Sequence, residues 1–505
     1  MTRPGENEVG QGRGSERRGG ERGGGERRGG ERREGGRRFE PPLGEALEAL
    51  EAAGFGEAEV YAKRGRSRRL VLATGRRGAS YHQEAGWAVR ASTDRASLFT
   101  TATGDLPADP TAGGHLLGGL LDTDTADGLP LALPRPDAVP RAAARWKEPS
   151  DYETPLVGET EGLRMLDALE RELISEVPKA RLLGAWLEDG SSDSRLANHH
   201  GVAGRWRLRV AVLRAEAALG TTRTSLELAA REARRLGPAA VARQLADRLV
   251  AAAAESSFTG RDRAEVILAP ALAARLLAAL TPMLVGPGAA QRAAVLADPK
   301  GRLASGAVTV IDDGRLDDGV LAAPVDGEGL PTRRVVLVEG GVFRGPLVSW
   351  RAARDAERRD TAGGRRRQGV GRGVQPAACS RRASWRDLPE TAPSHLYLAA
   401  DPEVRAGELV ADLARGYYLV AATAAPRIDW GGGTSGGTFR VPVIGYTVRQ
   451  GRAQGPLSGV SLTGTLATLL GGVRAAARDL TFFPYDGMVG APTLRVSGLE
   501  LRARG

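Results

Sequence analysis

Five histidines (His82, His115, His199, His200 and His395), one cysteine (Cys379) and a glycine-flanked serine (Ser435 in GTSGGTF) are the side chains of this 505-residue chain best suited to catalysis. A metal-dependent hydrolase needs ligands that converge on one ion, and the simplest source is two His a turn apart on a helix with a Glu beside them. No two of these histidines stand four residues apart, and none adjoins a Glu in a helical pattern. The pair His199 and His200 would point to different sides of a strand or turn, which suits a polar turn better than ligation. Cys379 lies in VQPAACSRRASW, where Arg381 and Arg382 would lower a thiol pKa. A Cys nucleophile also needs a His base in space, and His395 is merely the nearest in sequence, so a passive thiol is expected. Ser435 is outside the strand-to-helix G-x-S-x-G pattern, and GVGRGV at 369–374 lacks both a Lys-Ser/Thr pair and a βαβ setting.

Charge points to a partner class without defining one. The net charge is +10 and the pI near 10.2, values that invite a nucleic-acid reading. Residues 1–40 hold 11 Arg and 8 Glu, so this tail supplies only +3, and its Glu residues would repel phosphates. The strongest basic cluster beyond it, RAARDAERRDTAGGRRRQGVGRG from Arg351 to Gly373, has no interleaved aromatics to stack bases and reads as a solvated basic loop. Nucleic acid is therefore not the expected partner. A lone cysteine forms no intrachain disulfide, and neither a signal-peptide core nor about 18 uninterrupted apolar residues is found, so a cytoplasmic protein with no membrane span is expected.

The elements that would position these side chains divide the chain into four stretches. Residues 1–39 repeat an ERRGG unit, have almost nothing to bury, and are expected to be a disordered Arg/Gly/Glu-rich tail. Residues 40–140 open with the helix LGEALEALEAAG, capped by Gly54. AEVYAKRGRSRRLVLATG then alternates like a strand pair, GWAVRAS reads as a further strand, and a Pro/Gly-rich linker or crossover covers Leu106 to Pro140. In residues 141–258, Leu163, Leu166, Leu169, Leu173 and Val177 share one helical face. Strands ARLLGAWLED and RWRLRVAVLRAE flank a polar turn region, SSDSRLANHHGVAG, and a second helix begins at Pro238 with Val241, Leu245 and Leu249 aligned. Residues 259–505 are rich in short alternating runs broken by Gly and Asp, among them GAVTVIDDG and FRVPVIGYTVRQGRAQGPL. The fold class expected is α+β, a mixed α/β N-terminal part with a β-rich C-terminal domain.

One run joins element to chemistry. VILAPALAARLLAALTPMLVG reads as a strand followed by a helix, and Leu276, Leu277, Leu280 and Leu284 give that helix a packing face. The order of the surrounding pieces resembles the TldD/TldE family, also called PmbA, of modulator-of-gyrase-type peptidase proteins. The resemblance is carried by AEVYAKRGRSRRLVLATG with GWAVRAS, by SSDSRLANHHGVAGRWRLRVAVL, and above all by AEVILAPALAARLLAAL, ASGAVTVIDDG, VDGEGLPTRRVVLVEGGVFRGPLVS, HLYLAAD, GTSGGTFRVPVIGYTVRQGRAQGPLSGVSLTGTLATLLGGV and APTLRVSGLEL, in the family's order.

What the resemblance implies depends on which half of the family is meant. The TldD half is a zinc peptidase with a His-Glu-x-x-x-His helix directly after the strand matched here by VILAP, and a Cys ligand close before the late Gly-x-Phe motif. The TldE half shares the fold without those ligands and assembles with TldD around a chamber that admits unfolded or extended peptides. Here the matching helix ARLLAALTPML has no His and no Glu, and no acid occurs between Ala269 and Ala297. The stretch before Gly437–Phe439, LVAATAAPRIDWGGGTSG, has no Cys, and Cys379 comes too early to stand in. The resemblance therefore implies a TldE-like, catalytically silent subunit with no catalytic residue, no metal ligand and no cofactor of its own. Zinc is expected on a TldD-like partner, in a heterodimer or else a homodimer, with an unfolded peptide as substrate. The alternatives are an active hydrolase whose metal site is unrecognised or completed by another chain, and a nucleic-acid-associated protein acting through the Arg/Gly tail.

Overall fold

The computed structural model describes residues 39–93, 97–112, 131–138, 156–255, 258–298, 300–362, 376–431 and 437–503. The tail, most of the Leu106–Pro140 crossover, His115, Ser435 and GVGRGV lie outside them. In chain order the first half contains α1 (Leu43–Ala52), β1 (Glu57–Ala73), β2 (Arg76–Ser92), β3 (Ser97–Thr103), α2 (Glu159–Glu176), β4 (Arg181–Asn198), β5 (Ala203–Leu219), β6 (Thr222–Ala230) and α3 (Pro238–Ala253). Its strands form one antiparallel sheet in the order β3-β2-β1-β4-β5-β6.

Two sequence expectations are corrected by this sheet. AEVYAKRGRSRRLVLATG is not a strand pair: it is the single strand β1, which turns at Thr74 and Gly75, both at positive φ, into β2. A two-residue turn with both φ positive matches the twist of the strands it joins. Nor is SSDSRLAN a turn region. It is the second half of β4, whose backbone pairs with β1 on one side and β5 on the other, and the turn shrinks to His199–Val202 around Gly201 at φ 83°. Polar residues are tolerated there because one face of an antiparallel sheet can stay open to solvent. The other face is covered by α2 and α3. Leu166, Leu169 and Leu173 are fully buried in the same core as Leu70 and Leu187, and Val241, Leu245 and Leu249 join it with Leu213. Leu163 and Val177 pack partly buried at its margin.

The second half contains β7 (Arg261–Leu268), α4 (Pro270–Leu280), α5 (Ala289–Leu296), β8 (Val310–Asp313), β9 (Arg334–Glu339), β10 (Val342–Phe343), α6 (Trp350–Ala362), β11 (Ser380–Arg381), β12 (Glu390–Thr391), β13 (His395–Leu398), α7 (Ala406–Ala411), β14 (Arg415–Ala422), β15 (Arg427–Asp429), β16 (Thr438–Arg449), β17 (Arg452–Thr465), α8 (Leu466–Gly471), β18 (Val473–Ala476), β19 (Thr481–Pro484), β20 (Met488–Ala491) and β21 (Leu494–Ala503). One sheet runs β10-β9-β8-β13-β20-β19. The other follows β14-β7-β21-β17-β16, and because β14 also pairs with β16 these strands close into a ring. Closure removes exposed edges from that part of the sheet. At the seam β14 passes so near its neighbours that a Cβ on Gly416 would strike the Glu265 carbonyl oxygen, and one on Gly445 that of Tyr418.

Helix α4 runs between the two larger C-terminal sheets, packing on β13, β14, β19 and β20, while β11 and β12 form a separate pair. That position explains its composition. Leu272, Ala273, Ala274, Leu276, Leu277 and Leu280 are all buried, as a helix covered on most sides requires. It ends at Leu280, and Thr281–Met283 tighten into a 3-10 turn where Pro282 would break an α-helix. The basic run from Arg351 is likewise corrected, since its first part forms helix α6 and not a loop. Arg351 pairs with Asp355 at 3.6 Å, and buried Glu328 accepts the otherwise orphan N–H groups of Trp350 (3.1 Å) and Arg351 (3.0 Å). The part after Ala362 lies outside the described residues. The class is α+β, and Pro41–Gly505 cluster as one unit.

Candidate functional site

The start of α4 is fixed by the strand before it. The Ala269 N–H bonds the Leu419 carbonyl at 2.9 Å, which locks the β7–α4 corner to β14, and Pro270 occupies the first turn, where a missing N–H does no harm. The less buried stripe of α4 then carries Ala271 and, one turn on, Arg275 into a cavity of about 320 Å³. The remaining walls are Arg214, Ser225, Leu226 and Glu227 from the β5–β6 hairpin, Arg248 from α3, Ala421–Ala425 leaving β14, and Tyr485 after β19.

This cavity is cationic. Arg275 lies over the Tyr485 ring, 4.7 Å from its centroid, and Tyr485 stacks on Phe483 at 5.8 Å. Arg248 donates to the Ser225 carbonyl at 2.6 Å, and burial pulls its pKa down from the usual guanidinium value. Arg214 is more exposed, bonds Glu216 and sits opposite Glu227 in the β5–β6 pairing. Burial pushes the Tyr485 phenol up, against the charges of Arg248 and Arg275, so the hydroxyl keeps its proton near neutral pH. Among the described residues neither Arg248 nor Arg275 forms an ion pair with a carboxylate.

The cavity borders the two stretches where the family resemblance looks for zinc ligands, taking Ala271 and Arg275 from the helix after VILAP and Ala421–Ala425 from the segment leading toward Gly437–Phe439. Its residues do not fit that ion. Guanidinium groups have no lone pair to donate, and Ala271 and Ala421–Ala425 contribute methyl groups and backbone. Among the described residues no group of His, Cys, Asp and Glu is arranged to hold a metal.

Three of the four described histidines, His199, His200 and His395, are held by contacts within the fold. His199 contacts the Leu47 carbonyl at 3.1 Å and His200 the Glu57 carboxylate at 2.9 Å, so the adjacent pair fastens the β4–β5 turn to two different partners. His82 lines a shallow groove on the open face of the first sheet, beside Ser67, Glu84 and Gly190. Buried His395 donates from Nδ1 to the Asp313 carbonyl (2.9 Å) and accepts the Leu321 N–H at Nε2 (3.2 Å), which fixes a neutral ring; burial lowers its pKa to about 4. Cys379 is buried, and its thiol pKa is raised well above normal by burial and by the charges of Asp326, Asp312 and Glu328. The expected lowering by its arginine neighbours is thus corrected. Arg382 turns away to Glu59, and Arg381 lies 3.5 Å from Asp486.

That Glu59–Arg382 contact belongs to a buried ionic cluster that sequence reasoning missed. Glu59 on β1 takes Arg90 of β2 in a two-pronged bond (2.8 and 2.7 Å) and Arg382 from the far half of the chain, which also lies 4.8 Å above the Tyr61 ring. Burial works against ionisation of Glu59, but both arginines, by charge and hydrogen bonding, hold its carboxyl below the usual range. Register alone makes Glu59 and Arg90 opposite residues, and nothing in the sequence marks Arg382 as their third member.

Comparison with known proteins places this architecture. Residues 261–503 match the PmbA/TldA metallopeptidase C-terminal domain. No curated protein matches the chain. Among solved structures, TldE from Thermococcus kodakarensis is similar over 91% of this chain and 100% of its own, with 17% identity and a TM-score of 0.74. A putative modulator of DNA gyrase from Thermotoga maritima is similar over 91% of this chain and 99% of its own (17% identity, TM-score 0.69), and another from Bacteroides thetaiotaomicron over 92% and 98% (15%, 0.70). At such identities these likenesses are of fold. They define an α+β fold, and the relation to metallopeptidases rests on the family match over residues 261–503. The chain belongs to the TldD/TldE (PmbA) family.

Proposed function

We propose that this chain is a TldE-like, catalytically silent subunit of a TldD-type zinc metallopeptidase complex that processes unfolded peptides in the cytoplasm. The observation that carries the reading is the chemistry of α4. Where the active half of the family carries a His-Glu-x-x-x-His helix, ARLLAALTPML has no His and no Glu, and Arg275, the residue it turns toward the cavity, cannot bind zinc. The chain then contributes one wall of a peptide chamber and leaves zinc and bond cleavage to a TldD-like partner, as a heterodimer. Extended peptides suit such a wall, because main-chain hydrogen bonding to strands asks little of particular side chains. No helix among the described residues is long and apolar enough to cross a membrane.

Metal analysis tests the reading. The purified chain alone is expected to hold no stoichiometric zinc and to cleave no peptide, whereas material co-purified from the native cell is expected to contain a partner bearing the His-Glu-x-x-x-His helix, with zinc in that chain. Stoichiometric zinc in the isolated chain, lost together with activity on chelation, would overturn it in favour of an active hydrolase.

A further inference from the structure

We propose that the α4 cavity is a carboxylate-binding site that holds the C-terminal carboxylate of an extended peptide. The argument begins with charge. Arg248 and Arg275 arrive from different helices, both act on the single phenol of Tyr485, and neither is neutralised by a carboxylate among the described residues. Two partly buried guanidiniums repel one another, and an anion between them converts that repulsion into attraction. The geometry of the donors favours a planar anion. A guanidinium offers parallel N–H groups matched to two carboxylate oxygens, and the Tyr485 hydroxyl adds a further donor. Arg275 is held flat by its ring contact, so part of its conformational freedom is already lost before binding.

Size and position narrow the ligand. About 320 Å³ accommodates the end of a peptide, and Ala271, Ala421 and Ala422 contribute no side chain larger than a methyl group to its walls. Arg214 pairs with Glu216, and Glu227 is the one carboxylate among the described residues of the lining, so Arg248 and Arg275 together outweigh the negative charge of the cavity. The inference rests on the reading of this chain as a peptide-handling subunit. It adds what end of the peptide this wall grips.

The test uses the full chain alone, without a partner or zinc. Calorimetric titration compares tetra-alanine with a free C-terminus, the same peptide as its C-terminal amide, and inorganic phosphate. The free acid is expected to bind about tenfold or more tightly than the amide, and phosphate to compete with it. Arg275→Ala is expected to abolish that preference and Arg275→Lys to restore part of it. Because Arg275 makes its contact with a ring and not with backbone, the variant should keep the wild-type melting temperature; Arg248→Ala provides a second variant on a different helix. Equal affinity for acid and amide, an unchanged preference in both alanine variants, or phosphate binding without any peptide binding would each overturn the proposal. None of these results bears on zinc content, so failure here leaves the silent-subunit reading standing, and zinc in the isolated chain would sink that reading while leaving the binding result intact.

Discussion

His395 and Asp312 show how two buried titrating groups can hide one another's effect. Asp312 accepts the Ser394 and His395 N–H groups at 2.8 and 3.0 Å, yet burial, with the neighbouring charge of Asp313, raises its pKa to about 7. A carboxyl raised in the folded state makes the protein lose stability as pH rises from its unfolded value, near 4, to about 7. His395 works in the opposite sense, since a ring lowered from 6.5 to about 4 makes the protein lose stability as pH falls through that window. The two slopes largely cancel. Asp312→Asn keeps an acceptor oxygen for both N–H groups and removes one slope. The variant is therefore expected to lose stability relative to wild type on acidification from pH 7 to 4.5, on the order of a few kcal/mol, and to gain relative to it at pH 8. Urea unfolding across that range checks this, and parallel pH profiles for the two proteins would refute it.

At the scale of elements, the ring of β14, β7, β21, β17 and β16 depends on close backbone approach at its seam. Gly445 faces the Tyr418 carbonyl across the β14–β16 pair, beside a register shift between Leu419 and Ala421. A methyl group there has no room, and backbone is less able than a side chain to yield. Gly445→Ala is expected to destabilise the chain by about 1–3 kcal/mol or more, and to accelerate amide exchange along β14 and β16 beyond that of α2 and α3. Uniform exchange throughout the chain would show that the seam is not the element affected. The same seam positions the candidate site, because Ala421–Ala425 form one wall of the cavity and Leu419 anchors the first residue before α4. Helix α6 shows the reverse dependence. Its basic residues suggest a solvated loop, and it is the distant, buried Glu328 that satisfies its first N–H groups.

At the scale of the whole molecule, Glu59, Arg90 and Arg382 join the first sheet to the C-terminal half through charges with almost no access to solvent. Removing one member leaves the others buried and uncompensated. Glu59→Ala is expected to cost about 3–5 kcal/mol, and the Glu59→Ala, Arg382→Ala double variant less than the sum of the two single losses. Denaturant unfolding of the four proteins measures this, and strict additivity would show that the contact is not a functioning pair. Much of the architecture was legible before any pairing was known. Helical spacing located α1 to α4, and alternation located parts of β2, β4, β5, β8, β16 and β17, because the periods of 3.6 and 2 are imposed by which side chains must leave water. The polar half of β4 escapes the sequence for a physical reason: a half-solvated strand with partners on both sides carries no apolar alternation, and only its neighbours make it a strand. By itself the sequence determined the α+β class, the apolar character of the helix after VILAP and its want of zinc-ligating side chains, since these depend on residue types at fixed local spacing. Only the tertiary structure decided that β14 closes a ring, that Cys379 is buried, and that Arg248 and Arg275 line one cavity with Tyr485. Those facts depend on register and on contacts between residues remote in the chain, and long-range convergence leaves no periodic trace in a sequence.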